Sequence, residues 1–570
     1  DLRRALEVRE RLDDSAAEPA SALWERVRHA AETLGDHEEE LAAVDALLAA
    51  LDQDQDPLEC AELLVRRQHL RFSTGKGFLD ADELRRAVAL AGREPESWQQ
   101  AFALAELAHA SLWQDDPRAT QLAALSLEGA RDCGHPRALA HALAANAMLA
   151  VFEGRVEEGR VLGAEAVAAA AQARDGWAFV HATLWEANAV GTPVSPTWAA
   201  VVSGRRAQLM SLALPQPFIA WLASDEGGAR LYAGEWDACA QLLRTALGAK
   251  PGVLVDVKTR LNAARMAALQ GRSREAEGHL ARADELFAET STFLALEFDT
   301  VRALVRLCAG DLRGTVDAAL AGTATAGVPP TMCEWLLPLA ARALADLGQG
   351  ERDGGRDPGP VVAELDDLFR RFPRVIADMG GATDFYAREL AGLQSLYEAE
   401  VARGRQSADA GARWADATRA LHGVLPWEEC YALWRQAEAL LMGGLVGGSR
   451  QREPGVEALR RSHALARGLR AQPVLDELEA LARGARISLA DPATTGPAPA
   501  ARARAGLTAR ETEVLHHVVA GRSYGEIARA LVVSEKTVSS HVSNLLRKTG
   551  CANRVDLARW ATHPPAEHEA

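Results

Sequence analysis

Lys536, Ser540, Ser543 and Arg547 stand at i, i+4, i+7 and i+11, the spacing that puts four side chains on one stripe of a helix. Ser539 borders that stripe. Small hydroxyls let a helix settle deep in a groove and hydrogen-bond to base edges, while the cations at either end suit flanking phosphates. Val538, Val542, Leu545 and Leu546 recur at i, i+4, i+7 and i+8 and form a second, apolar stripe. One face is built to be buried and the other to be offered. The chemistry implied is reversible hydrogen bonding and charge pairing with double-stranded DNA, with no covalent step.

Other residues invite chemistry less strongly. Trp177, Trp185, Trp198, Trp221 and Trp236 gather five of the thirteen tryptophans into one stretch, and aromatic walls can hold a small inducer. The same residues serve equally as core fillers. Ser73-Thr74-Gly75-Lys76-Gly77 looks like a phosphate loop but lacks its first glycine, and Gly follows the Lys, so a helical-hairpin turn is expected. Cys133 and His135 have no further ligands nearby, so no metal site is expected. The run Glu38, Glu39, Glu40 reads as favourable charge at a helix start. The seven cysteines are scattered without C-x-x-C spacing, as in a reduced cytosolic protein. No residue set supports catalysis, and the chain reads as a non-enzyme with no cofactor of its own.

Local signals position the DNA-facing stripe. Thr508 precedes Glu511 by three residues, and Ser523 precedes Glu526 by three, so both read as capping boxes. Ser534 and Asn553 stand where two further N-caps are required, and Gly550 is placed to stop the third helix near Thr549. Four short helices in a row, the third polar on one side, is the layout of a helix-turn-helix.

The pattern Leu507-Thr508-x-Arg510-Glu511-x-Glu513-Val514-Leu515, Gly521-x-Ser523-x-x-Glu526-Ile527-Ala528, Leu531-x-Val533-Ser534-x-x-Thr537-Val538-x-x-His541-Val542-x-Asn544-x-Leu546-x-Lys548 and Asn553-Arg554 resembles the LuxR/GerE DNA-binding domain. The resemblance covers about a tenth of the chain. It implies base contacts from Ser539, Ser540 and Ser543, and phosphate contacts from Ser534, Lys536, Thr537, Lys548 and Arg554, which Arg547 joins from the stripe. Three serines depart from the Lys or Asn common in relatives, so the operator sequence stays open. The resemblance also implies binding as a homodimer, with RNA polymerase as a further partner.

The body, residues 1–487, is rich in Ala, Leu and Arg with few β-branched runs, and helix signals run throughout. Turns are expected near Gly35, Gly77, Asp115, Gly154, Gly191, Gly234, Gly271, Gly310, Gly348, Gly404 and Gly443, mostly about 40 residues apart, as in helical-hairpin repeats. The long step from Gly348 to Gly404 holds a Gly/Asp/Pro-rich stretch, 350–360, expected as a surface loop or break. Such repeats stack into a solenoid with a long concave surface. The body is similar to the tetratricopeptide-like region of large LuxR-type regulators, including maltose-type activators. The fold class expected is therefore all-α: a tetratricopeptide-like solenoid, a Pro/Ala linker over 488–505, a four-helix LuxR-type domain over 506–561, and a polar tail over 562–570.

The chain carries −16 overall, yet its last helical module has more Lys and Arg than Asp and Glu. A basic module on an acidic body suits one end meeting nucleic acid. No apolar run reaches membrane-span length, so a cytoplasmic location without membrane contact is expected. The leading reading is a bacterial transcription regulator, an activator by resemblance, whose body senses a small molecule or protein. Two others stand beside it. One is the output half of a signalling ATPase, with ATP bound only by a module preceding Asp1. The other is an interaction scaffold without a small ligand.

Overall fold

The computed structural model describes residues 19–77, 79–249, 251–287, 295–324, 334–376, 384–447, 452–489, 507–519, 522, 524–531, 533–549, 551 and 557. Among them are 26 helices and no strand. The chain divides into two compact units, residues 1–487 and 488–570.

In the first unit the helices run in antiparallel pairs. They are α1 (Ala20–Leu34), α2 (His37–Ala50), α3 (Pro57–Ser73), α4 (Ala81–Ala91), α5 (Trp98–Trp113), α6 (Ala119–Cys133), α7 (Pro136–Phe152), α8 (Val156–Ala173), α9 (Gly176–Val190), α10 (Pro196–Ser211), α11 (Gln216–Tyr232) and α12 (Trp236–Gly248). The series continues with α13 (Val253–Leu269), α14 (Ser273–Phe287), α15 (Ala295–Cys308), α16 (Leu312–Ala324), α17 (Leu336–Asp353), α18 (Gly359–Arg371), α19 (Asp384–Gly404), α20 (Ala410–Leu421), α21 (Pro426–Gly447), α22 (Arg452–Leu469) and α23 (Gln472–Ala485). The starts are encoded locally. Asp36, Asp80, Ser97, Asp175 and Ser195 each accept a backbone N–H as N-caps. Proline opens α3, α7 and α10, where its missing N–H costs nothing.

Two expected turns fall elsewhere. Gly348 lies inside α17 and is buried, and Gly443 lies inside α21. The turn after α17 comes at Gly354–Pro358, where Gly355 takes φ +67°. The stretch 350–360 is therefore no break: it ends one helix, turns and begins α18, whose Leu365 and Leu368 are buried.

The first helix of each pair faces inward. Buried residues are dense on α7, α9, α11 and α13, whereas α8, α12 and α14 bury a single stripe. Five hairpins on, the coil meets itself. A Cβ on Gly35, in the first hairpin's turn, would lie 2.5 Å from Pro217 Cδ at the start of the sixth hairpin. One on Gly252, which opens the seventh, would lie 2.8 Å from Ser73 O in the second. Thr192 donates to Glu389 at 3.2 Å, Arg470 pairs with Asp237 at 2.8 Å, and Gly271 abuts Pro473. The expected long concave surface is closed by these contacts into an interior.

The second unit packs α24 (Ala509–Val519) and α25 (Tyr524–Leu531) against α26 (Glu535–Thr549). Its core holds Val514, Leu515, Val518, Ile527, Val538, Val542 and Leu545. Of the expected fourth helix, Leu557 is described and is helical and buried. Ser523, Gly550 and Asn553 lie outside the described residues.

Candidate nucleic-acid interface and interior cavity

Helix α26 is set in place by its caps and its apolar stripe. Ser534 Oγ accepts from Thr537 N at 3.1 Å, the N-cap its position called for. Val538, Val542 and Leu545 are buried, and Leu546 packs beside them. Opposite them, Lys536, Ser539, Ser540, Ser543 and Arg547 are all exposed, as are Ser534 and Thr537. Ser540 Oγ donates to Lys536 O at 3.0 Å, so its hydroxyl starts satisfied by its own helix and must rotate to reach a base. Arg554 lies outside the described residues.

Lys548 is placed differently from its fellow cations. Its Nζ pairs with Glu511 Oε2 at 2.7 Å, and its side chain is only about a quarter exposed. That same carboxylate closes the first capping box. Thr508 N donates to it at 2.8 Å, and Thr508 Oγ1 accepts from Glu511 N at 3.3 Å. Lys548, with Thr508, pulls the Glu511 carboxyl down to about 2. Lys548 thus spends its charge tying α26 to the start of α24. Spacing alone could not separate it from Lys536.

The five tryptophans do not form one wall. Trp177 is buried, with its ring stacked on His69 at 4.3 Å and on His181 at 4.6 Å. Trp221 packs edge-on to Trp177, and Trp185 leans on Phe152. Trp236 donates to Leu231 O and borders a surface groove. Trp198 is the one of the five that lines the interior cavity described below. Cys133 and His135 stay apart as well: the thiol turns to Ala130 O, and His135 stacks on Trp98. The 73–77 segment is a hairpin turn in which Lys76 pairs with Glu38. Glu38, Glu39 and Glu40 occupy the first turn of α2, and Glu40 is also fully buried against Arg66 at 2.6 Å.

Two clusters of buried ionisable groups line the inner helices. The first joins α3, α5, α7 and the cap of α9. His141 Nδ1 lies 2.6 Å from Glu106, and its Nε2 lies 3.4 Å from Asp175. Asp175 also pairs with Arg137 at 3.1 Å, and His69 approaches Glu106 at 2.9 Å. Burial opposes the charge on His141, but the two carboxylates prevail and raise it to about 9. Ligand atoms of His69, Glu106 and His141 lie within 4.8 Å of one another, close enough to suggest a metal. A proton held on His141 between two carboxylates competes with any ion for those lone pairs, and as they stand the groups form a network of ion pairs and hydrogen bonds.

The second cluster surrounds a partly open cavity of about 390 Å³ lined by α11, α13, α15, α19, the α9–α10 turn, the start of α10 and the approach to α17. Lys258 Nζ pairs with Asp225 at 2.6 Å. Arg265 pairs with Glu428 at 3.1 Å and lies against the adjacent rings of Tyr232 and Trp335. Glu297, Glu334 and Glu389 add three more carboxylates to the wall. They come from separate hairpins, and no sequence spacing links them.

Comparison with known proteins agrees with the geometry of the second unit. Residues 505–561 match the family described as bacterial regulatory proteins, luxR family (GerE). The chain is 53% identical over 55 residues to the transcriptional regulatory protein YhcZ of Bacillus subtilis (strain 168), covering 10% of this chain and 26% of that one. It is 46% identical over 55 residues to the CsgBAC operon transcriptional regulatory protein of Escherichia coli (strain K12), with the same coverage. Against the spore germination protein GerE of B. subtilis it is 46% identical over 48 residues, 8% of this chain and 65% of that one. The chain thus spans about a quarter of the first two relatives. The crystal structure of the P58(IPK) TPR domain aligns over 75% of this chain and 99% of its own, at 12% identity and a TM-score of 0.21, so the body's architecture rests on its own helices. Residues 505–561 are a LuxR-family DNA-binding domain, carried by a chain whose body is built of helical hairpins.

Proposed function

We propose that this protein is a transcription regulator that binds promoter DNA through α26 and is controlled by a small effector held in its helical body. The observation that carries the DNA reading is the split of α26 into a buried stripe, Val538, Val542 and Leu545, and an exposed one, Lys536, Ser539, Ser540, Ser543 and Arg547. The serines read base edges; Ser534, Lys536, Thr537, Arg547 and Arg554 meet phosphates; Lys548 serves mainly as a strut. Two copies bind two half-sites, and the bound dimer engages RNA polymerase. It acts in the cytoplasm and without catalysis of its own. Among the described residues no helix is long and apolar enough to cross a membrane.

The cavity favours a small effector over a pure protein-interaction scaffold. Its size falls within the range typical of ligand sites, and its aromatic and charged groups converge. The test is a binding series with the full chain on one selected operator and one random duplex. Ser540→Asn and Ser543→Asn should each change sequence preference by about 1–3 kcal/mol per affected base pair, with little change on the random duplex. Unchanged preference in both variants would put the reading face elsewhere.

A further inference from the structure

We infer that the interior cavity takes an organic cation, a small molecule bearing one or more ammonium groups. The inference rests on the effector reading above and adds the chemistry of the ligand.

The charge balance of the wall is the first observation. Asp225, Glu297, Glu334 and Glu389 line the cavity with two cations, Lys258 and Arg265, and Arg265 is also paired with Glu428. Both cations already have carboxylates in contact, at 2.6 Å and 3.1 Å. With every carboxylate ionised, the four lining acids outnumber the two cations among the described residues, and Arg265 is further shared with Glu428. Unneutralised charge on buried groups such as Glu334 and Glu389 is costly, and either protonation or a bound counter-ion relieves it.

The second observation is an orphaned atom. Glu334 is 7% exposed, lines the cavity, and has its Oε2 buried without a hydrogen-bond partner. Glu389 is buried beside it and accepts one bond, from Thr192 at 3.2 Å. Glu297 presents an exposed side chain to the cavity. These carboxylates offer lone pairs and no N–H or O–H when ionised, so they select a donor.

The third observation is aromatic. Trp198, Tyr232, Trp335 and Tyr386 line the same cavity. Tyr232 and Trp335 already hold a guanidinium, with ring centres 4.8 and 4.6 Å from Arg265 Cζ. Rings that face a cation in a desolvated site favour positive charge over neutral or negative ligands. A ligand of about the cavity's size therefore has an ammonium end for Glu334 and Glu389 and an apolar portion for the rings.

The protonation chemistry supplies a readout. Burial first, then the neighbouring Glu389, pushes Glu334 up to about 8, and burial pushes Glu389 up to about 7. Among the described residues, the other charged and titratable groups around them are Asp225, Lys258, Arg265, Glu297, Glu428, Tyr232 and Tyr386. A bound cation favours the ionised carboxylates, so binding near neutral pH should release protons.

The experiment uses the full chain and a fixed panel: cadaverine, spermidine, tyramine and tetramethylammonium as cations, succinate as an anion, and sucrose as a neutral molecule. Each is offered at up to about 10 mM, where even millimolar affinity registers. Calorimetry is run in two buffers of different ionisation enthalpy. The expected result is that at least one amine binds with proton release while succinate and sucrose do not. Glu334→Gln and Glu389→Gln should each weaken that amine about tenfold or more, and Glu157→Gln, far from the cavity on α8, should leave it unchanged. Both cavity variants keep the side-chain shape and remove the carboxyl that a bound cation would ionise, and circular dichroism checks that they fold. Silence from all four cations, binding undiminished in both cavity variants, or preference for succinate or sucrose each overturns the inference. Operator binding is measured on the same samples. Loss of cation binding with intact DNA recognition defeats the ligand class alone. Failure of DNA recognition defeats the regulatory reading, whatever the cavity holds.

Discussion

The two clusters of buried charge on the inner helices are built from the same residue types and differ in whether their charges meet. Around His141 each nitrogen faces a carboxylate, Asp175 has Arg137 as well, and Glu106 Oε2, though without a hydrogen bond, faces His69 Nε2 at 2.9 Å. Around the cavity the carboxylates outnumber the cations, and Glu334 keeps an oxygen without a partner. A closed network fixes helices against one another; an open one waits for something. The same distinction recurs in the DNA-binding unit, where Lys548 is paired with Glu511 and Lys536 is exposed. Residue type says little about role, and completeness of pairing says much.

The comparison breaks most visibly at the closed network. His141→Leu leaves Glu106 and Asp175 short of a counter-charge in the core and should cost about 3 kcal/mol of body stability, read from denaturant melts of helicity. A change below about 0.5 kcal/mol would show that the network is no strut. The same variant tests the pH argument. A group held at about 9 in the fold and near 6.5 when unfolded stabilises fully below 6.5 and loses that contribution as pH rises through 9. The wild type should therefore weaken across that window, and the variant should lose part of the slope.

Smaller is the effect in the DNA-binding unit. Lys548→Ala should lower its stability by about 1–2 kcal/mol, because a hydrogen bond to a charged group is lost and Glu511 is left with Thr508 alone. Lys536→Ala should leave melting within about 0.5 kcal/mol and reduce the salt slope of DNA binding by about one unit. Exchange of those two outcomes would mean that the free and tied lysines are reversed.

Smallest is the open cluster without ligand. Glu334 is held near 8 in the fold, so the folded state retains a proton that the unfolded chain has released above about 4.5. Stability then falls as pH rises through that window, and Glu334→Gln removes the loss. Its melting temperature at pH 8.5 should exceed the wild type's by about a degree or two. A lower value would show that the carboxylate is satisfied in the fold.

The DNA-binding unit was legible because its signals are local. Thr508 with Glu511, Ser534 with Thr537, and the two stripes of α26 lie within single turns or single helices. What local spacing does not show there is the ion pair of Lys548, whose partner lies 37 residues away. In the body, glycine served two purposes that look alike in sequence. Gly154, Gly234, Gly271 and Gly310 turn the chain with positive φ, whereas Gly348 is buried within α17 as a small packing residue. The tryptophans were conspicuous by density, yet Trp177 and Trp221 fill the core. The cavity's acids were invisible because Glu297, Glu334 and Glu389 become neighbours only when the coil has wound.

The contacts between Gly35 and Pro217, Gly252 and Ser73, and Gly271 and Pro473 have a consequence for how this body can change over generations. A repeat array whose units touch only their neighbours grows or shrinks one unit at a time. Here each contact joins hairpins five apart. Duplicating or deleting a single hairpin between them would slide every later unit out of register with its counterpart. All the clasps would then be lost together, along with the enclosed space. The number of hairpins is therefore under a counting constraint, and inheritance can vary this protein's side chains far more freely than its length.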